Sequence, residues 1–343
     1  MKLLLLFLVF GLSAVLSASR GQAKLQSQSL PYRLNRHHDP ENYMKIIWPT
    51  LTGTPNQQLL LLMDTTSPET TIFTCPHSNG MCFGYADSTT FKQLSDNTAM
   101  DQMMEAQMED QASVTFVTRT DPAAKAGGYL GLAPGGEVSY PGVNRTVDWW
   151  FEKLPRKAFA IELGQQACTA QITVGVIELC KEADPNSAPI FLPNTSKKYW
   201  QIAVKGAELG GVKANPSQVV ISTIKDYIGM PKKFLKEFTA KYSIPWDGLY
   251  GAYTVDCSAT STLPNLNFQV SGGTLTIRAA QYVYRKKPLP NGRCILNMED
   301  SKAYGFGPEW YFGLQIIQDY CVSFDFEKQR MGFTKNPKPA VQC

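Results

Sequence analysis

Apolar runs along this chain are short and are broken by Gly, Pro, Asn and Asp. Tyr43-Met-Lys-Ile-Ile-Trp48 reads as a strand, Thr52-Gly-Thr-Pro55 as a turn, and residues 59–63 as a dense second strand. β-Branched and aromatic residues recur in Ser113-Val-Thr-Phe-Val-Thr118, Ala158-Phe-Ala-Ile-Glu-Leu163 and Gln171-Ile-Thr-Val174, again at strand length. Three segments carry a helical period: residues 97–111, 146–153 and 232–242. In the first, Thr98 and Asp101 form a capping box, and Met100, Met104 and Met108 repeat at i, i+4, i+8 as a stripe for core packing. Residues 19–42 show neither period. The pattern predicts a mostly β chain with a few short helices.

Composition narrows this. The 343 residues are 43% hydrophobic and 18% charged, ample for a large core and for more than one lobe. Thirty-three Lys and Arg against 29 Asp and Glu leave a net charge of +4, too even a balance for a protein that neutralises a nucleic-acid backbone. With 26 Gly, 22 Pro and no short repeat, collagen-like, coiled-coil and disordered classes are excluded. Lys232-Lys233 and Arg285-Lys286-Lys287 read as solvated faces.

Residues 1–18 begin with Lys2, continue with the apolar run 3–12, and end in small residues around Ser13, Ala14, Ser17 and Ala18. That is the order of a secretory signal peptide, and the run is too short to span a bilayer. The expectation is a secreted, extracellular protein that does not span a membrane, with a lysosomal or other secretory lumen as the alternative. Eight dispersed cysteines behind such a leader mean disulfides before zinc. Asn144-Arg-Thr146 and Asn194-Thr-Ser196 are N-glycan acceptor triplets. His37 and His38 have only His77 as a further histidine, too few for a histidine metal site, and neither metal nor other cofactor is expected.

The chemistry-bearing residues lie elsewhere. Gly53-Thr-Pro-Asn-Gln57, an apolar strand and Met63-Asp64-Thr65-Thr66-Ser67 form one loop motif. Gly128-Tyr-Leu-Gly-Leu132 and Tyr199-Trp-Gln-Ile202 follow, then Val219-Val-Ile-Ser-Thr223, Tyr253-Thr-Val-Asp-Cys257, Gly305-Phe-Gly-Pro-x-Trp310, and Phe324-Asp325 with Met331-Gly-Phe333. In order, over about 290 residues, this set resembles the pepsin-like aspartic proteases. The resemblance implies a two-lobed β fold, with an N-terminal lobe at residues 43–197 and a C-terminal lobe at 198–343 after the leader and a short basic segment at 19–42. It implies a peptide in the cleft, and one Asp from each lobe sharing a proton at its centre. It implies Cys75–Cys82 and Cys257–Cys294 disulfides, leaving Cys168, Cys180, Cys321 and Cys343 with three pairings open. Thr65 and Thr223 would cross-brace the two loops, and Gly131 and Gly313 would close behind them.

The departures from that pattern are chemical. Asp64 stands at the first acid, followed by Thr66 in place of a glycine. The second acid position holds Ser222, followed by Thr223, Ile224, Lys225 and Asp226. Asp226 can reach that position only by slipping the strand before it, which would flip its faces. Ser222 as a nucleophile would need a better base than a lone Asp of pKa about 3.9. The plainer reading is a hydrogen bond from Ser222 to Asp64. Between Tyr85 and Gly127 there is neither Tyr nor Gly, so the hairpin that active members fold over the cleft, with its Tyr and Gly-rich turn, is expected to be missing and replaced by the 97–111 helix. Tyr311-Phe-Gly313-Leu314 ends without the usual Asp.

The expectation is a pepsin-like homologue, monomeric and catalytically inactive, that binds a peptide or protein in its cleft or on its surface. The alternative is a weak or atypical aspartic-type endopeptidase using Asp64.

Overall fold

The computed structural model describes residues 22–26, 46–79, 82–105, 112–120, 126–135, 140, 142–143, 156–163, 169–175, 180, 188–285, 287–303 and 307–336. One five-strand pattern occurs twice. In the first half, Ile47–Thr52 pairs antiparallel with Gln57–Asp64, which pairs parallel with Gly128–Gly131. Gly128–Gly131 pairs antiparallel with Thr71–Cys75, which pairs parallel with Ala112–Arg119. In the second half the same succession of directions runs through Gln201–Val204, Ser217–Ile221, Trp310–Phe312, Ile228–Met230 and Met298–Asp300. The central strands are buried along most of their length because they are covered on both faces. That is why residues 59–63 read as a continuous apolar run rather than an alternation.

A six-stranded sheet joins the halves. Its order is Gln22–Gln26, Thr169–Val174, Ala158–Leu163, Tyr320–Asp325, Arg330–Lys335, Ile190–Pro193. Strands from both expected lobes are thus neighbours in one ladder. Phe159 stacks on Phe324 with ring centroids 4.5 Å apart, and Trp200 meets Phe324 and Phe326 edge-on at 5.3 and 4.7 Å. Trp200 Nε1 donates to the Leu132 carbonyl at 2.7 Å, tying the strand that opens the second half to the loop that closes the first.

Two expectations need correction. Residues 97–111 do not form a helix over their described part: Thr98–Glu105 is a strand, paired antiparallel with Ala112–Arg119 as a hairpin. Spacings of four and eight are even, so the methionine stripe fits one face of a strand as well as one face of a helix. Ala99, Asp101 and Met103 are the buried alternates. The Thr98 hydroxyl meets that of Ser95 at 2.7 Å, and Asp101 accepts from the Ser88 and Thr90 hydroxyls, so the apparent capping box serves a strand. A hairpin therefore does stand in this place, without the Tyr and Gly. The second correction is that residues 22–26, read as patternless, form a sheet-edge strand through main-chain pairing, which needs no side-chain period.

The helix expected at 232–242 is present as Lys232–Lys241, burying Phe234, Leu235 and Phe238. Residues 1–18, the 146–153 helix, Asn144, Cys168 and Cys343 lie outside the described residues. Among the described residues no helix is long and apolar enough to cross a membrane.

Candidate functional site

Asp64 is the last residue of the Gln57–Asp64 strand, and Ser222 directly follows Ser217–Ile221, its counterpart in the second half. Each strand runs parallel to a partner with a glycine at or just after its end, Asp64 being paired to Gly131 and Ile221 to Phe312, next to Gly313. Both glycines are demanded by close approach. A Cβ at Gly131 would lie 2.5 Å from the Glu69 carbonyl oxygen, and one at Gly313 2.5 Å from that of Tyr227. At the entry to the first strand, Gln57 clamps Gly84, donating to its carbonyl at 2.9 Å and accepting its N–H at 2.8 Å.

The two loops are bound by a reciprocal brace. The Thr65 N–H donates to Thr223 Oγ1, and the Thr223 N–H to Thr65 Oγ1, each at 3.1 Å. Each hydroxyl then donates across the junction, Thr65 Oγ1 to the Ile221 carbonyl at 2.8 Å and Thr223 Oγ1 to the Met63 carbonyl. Both threonines are buried, so these bonds are not exchanged with water.

Beside this brace the polar groups are unevenly satisfied. Asp64 Oδ1 accepts from the Thr66 N–H at 2.7 Å and from its hydroxyl at 2.6 Å. A glycine at 66 could supply only the first. Ser222 is fully buried and its hydroxyl has no hydrogen-bond partner, so the expected bond to Asp64 is absent. Its place in the loop is held by main chain alone, the Ser222 N–H donating to the Phe312 carbonyl at 2.8 Å. Asp226 does not stand in for it: it is buried and lines a separate cavity with Tyr227, Leu235 and Tyr253.

Lys225 is the residue whose position could not be read from the chain. Its Nζ donates to the Tyr227 hydroxyl at 2.7 Å and lies against the Tyr311 ring, 5.0 Å from its centroid. It is near enough to Asp64 to act on its ionisation. Lys225 and Tyr227 share a loop, but Tyr311 is more than 80 residues away and is brought to them by its parallel pairing with Val220 and its antiparallel pairing with Gly229.

Burial pushes the Asp64 carboxyl above the usual carboxylate range, against the opposing pull of the Thr66 and Ser67 hydrogen bonds and the Lys225 charge. A raised pKa means that the folded chain binds the proton more tightly than the unfolded chain does. Stability from this group is therefore fullest below the ordinary Asp value and is lost as pH rises through the folded value. Asp64→Asn removes the titration while an amide oxygen can still accept from Thr66. Its Tm is expected to exceed wild type by a few degrees at pH 7 and to converge with it by about pH 3. Parallel pH profiles in thermal unfolding would contradict this.

Disulfides join Cys75 to Cys82, Cys257 to Cys294 and Cys180 to Cys321. The last settles one of the pairings left open by the sequence. Among the described residues no group of three or more His, Cys, Asp or Glu could hold a metal ion. Asn194 directly follows the shared sheet's last strand and is half-buried, its amide oxygen accepting from the Gln201 N–H at 2.9 Å.

A family model described as eukaryotic aspartyl protease matches residues 96–336. Aspartic protease 17 of Caenorhabditis elegans is 29% identical over 174 residues, 50% of this chain and 44% of that protein. Aspartic protease 1 of the same organism is 27% identical over 50% of this chain and 43% of its own length. Cathepsin D of Clupea harengus is 26% identical over 278 residues, 78% of this chain and 66% of that protein. The chain thus spans from under half to about two thirds of the lengths of these relatives.

Proposed function

Because the chain belongs to the eukaryotic aspartyl protease family, we propose that it is a silent member of it, holding a peptide or protein rather than cutting one. The observation that carries this reading is Ser222, buried and without a hydrogen-bond partner at the strand end that mirrors Asp64. Hydrolysis by a carboxylate pair needs one group to take a proton from water while the other gives one to the peptide carbonyl. Ser222 has no ionisable proton near neutral pH and no base to activate it. Loss of one general acid or base typically removes about 10²–10⁴ in rate. The brace between Thr65 and Thr223 is intact beside this gap, which favours a retained scaffold whose use is binding.

The three disulfides and the leader at residues 1–18 support a site of action in the secretory pathway or outside the cell.

The mature chain, incubated with a denatured protein substrate from about pH 2.5 to 7, is expected to produce no cleavage above buffer, and Asp64→Ala is expected to be indistinguishable from it. Cleavage by wild type that disappears in Asp64→Ala would instead establish an atypical endopeptidase working through Asp64.

A further inference from the structure

Lys225 sits where its charge is fixed but unspent. Its main chain is anchored, the Leu314 N–H donating to the Lys225 carbonyl at 3.0 Å. An ammonium has three N–H donors, and the Tyr227 hydroxyl takes one of them. The Tyr311 ring, its centroid 5.0 Å from the ammonium, stabilises the cation without using its remaining donors as carbonyls would. None of the ion pairs among the described residues includes Lys225. Asp64 is within electrostatic reach, but its Oδ1 is already bonded twice by Thr66.

Tyr227, the hydrogen-bond partner of this cation, also lines a cavity of about 460 Å³, together with Leu235, Trp246, Tyr253 and Met298. Its lining sets Asp226, Glu299 and Asp300 against Lys232, Lys236 and Lys302, so the cavity itself has no net charge preference. Volume and lining suit a bulky apolar side chain. Charge selection is left to the half-buried ammonium, where the weaker screening strengthens any pairing.

We propose that Lys225 is a carboxylate receptor, selecting a peptide whose acidic side chain pairs with its ammonium while a neighbouring bulky apolar side chain enters the cavity lined by Tyr227. This rests on the peptide-binding reading above and names the ligand class for it. The Tyr227 hydroxyl, already accepting from Lys225, keeps its own proton to give to a second carboxylate oxygen. In the second loop, the change from the family pattern thus removes an acid at position 222 and introduces a cation at 225.

The test is selection from a phage-displayed random heptapeptide library on the immobilised chain, on Lys225→Met and on Lys225→Arg, each checked for folding by its thermal transition. Wild type is expected to enrich Asp and Glu next to an apolar residue about fivefold over the library, the range of one partly exposed ion pair. Lys225→Met returns acidic residues to library frequency and Lys225→Arg keeps the bias. Should Lys225→Met fail to fold, Lys225→Gln takes its place. Peptides enriched on wild type without acidic residues, or with an acidic bias that survives loss of the amine, would overturn the receptor while leaving peptide binding standing. No enrichment on wild type would overturn both.

Discussion

Replacing Thr65 and Thr223 together by valine is expected to lower stability by about 4 kcal/mol, since valine keeps the shape of each side chain and removes every hydrogen bond of the brace. Four bonds are lost, and what remains is worse than an apolar contact. The N–H groups of both residues lose their acceptors, and the Met63 and Ile221 carbonyls lose donors, all at a dry junction. Each single substitution removes two of the four bonds, orphans groups on both loops and slackens the two bonds that remain, so each should cost more than half of what the double variant costs. A double-mutant cycle by chemical denaturation checks this: the double variant should be less destabilised than the two singles summed. Strict additivity would mean that the threonines act separately and that the loops are held by their flanking strands.

Removing the Cys180–Cys321 bridge by alanine at both positions carries the other large effect. The bridge closes 141 residues of chain, which in the loop-entropy treatment corresponds to about 5 kcal/mol. Cys75–Cys82 closes only 7, for about 2 kcal/mol by the same reasoning. Cys321 is fully buried beside Ala160 in the shared sheet, so two small alanines add a cavity cost of their own. Thermal unfolding should show a Tm loss of roughly 10 °C for the long bridge and clearly less for the short one. Equal losses would show that local packing, rather than the unfolded chain's freedom, sets the value of both bridges.

The duplicated frame was readable along the chain because its central strands are dense apolar runs ending at small, polar loop motifs. The Asp64 and Ser222 positions came from the resemblance of those endings, in order, to the loop motifs of the pepsin-like aspartic proteases. The 97–111 segment was misread because a spacing of four satisfies both periods, and hydrophobic pattern alone cannot choose between them. What tipped it was tertiary: a partner strand at 112–119 and hydroxyl donors from Ser88 and Thr90 to buried Asp101. The unpartnered Ser222 hydroxyl was equally out of reach, since a serine beside an aspartate in a motif suggests a bond that only geometry can deny. Lys225 was visible as an oddity of the second loop. Its contact with Tyr311 became visible only when the sheet pairings brought that ring beside it.

The sheet that joins the two halves sets an order of events during synthesis. Ala158–Leu163 has Thr169–Val174 on one side almost as soon as it is made, but its other neighbour, Tyr320–Asp325, is translated about 160 residues later. At roughly 5–20 residues per second, that edge stays open for many seconds, with Phe159 and Ile161 uncovered. The first half of this chain therefore cannot finish folding until Tyr320–Asp325 has been made. Its exposed edge in that interval is a site for chaperones or for wrong pairing with another nascent copy. Truncations that stop before residue 320 should yield aggregates rather than a soluble half.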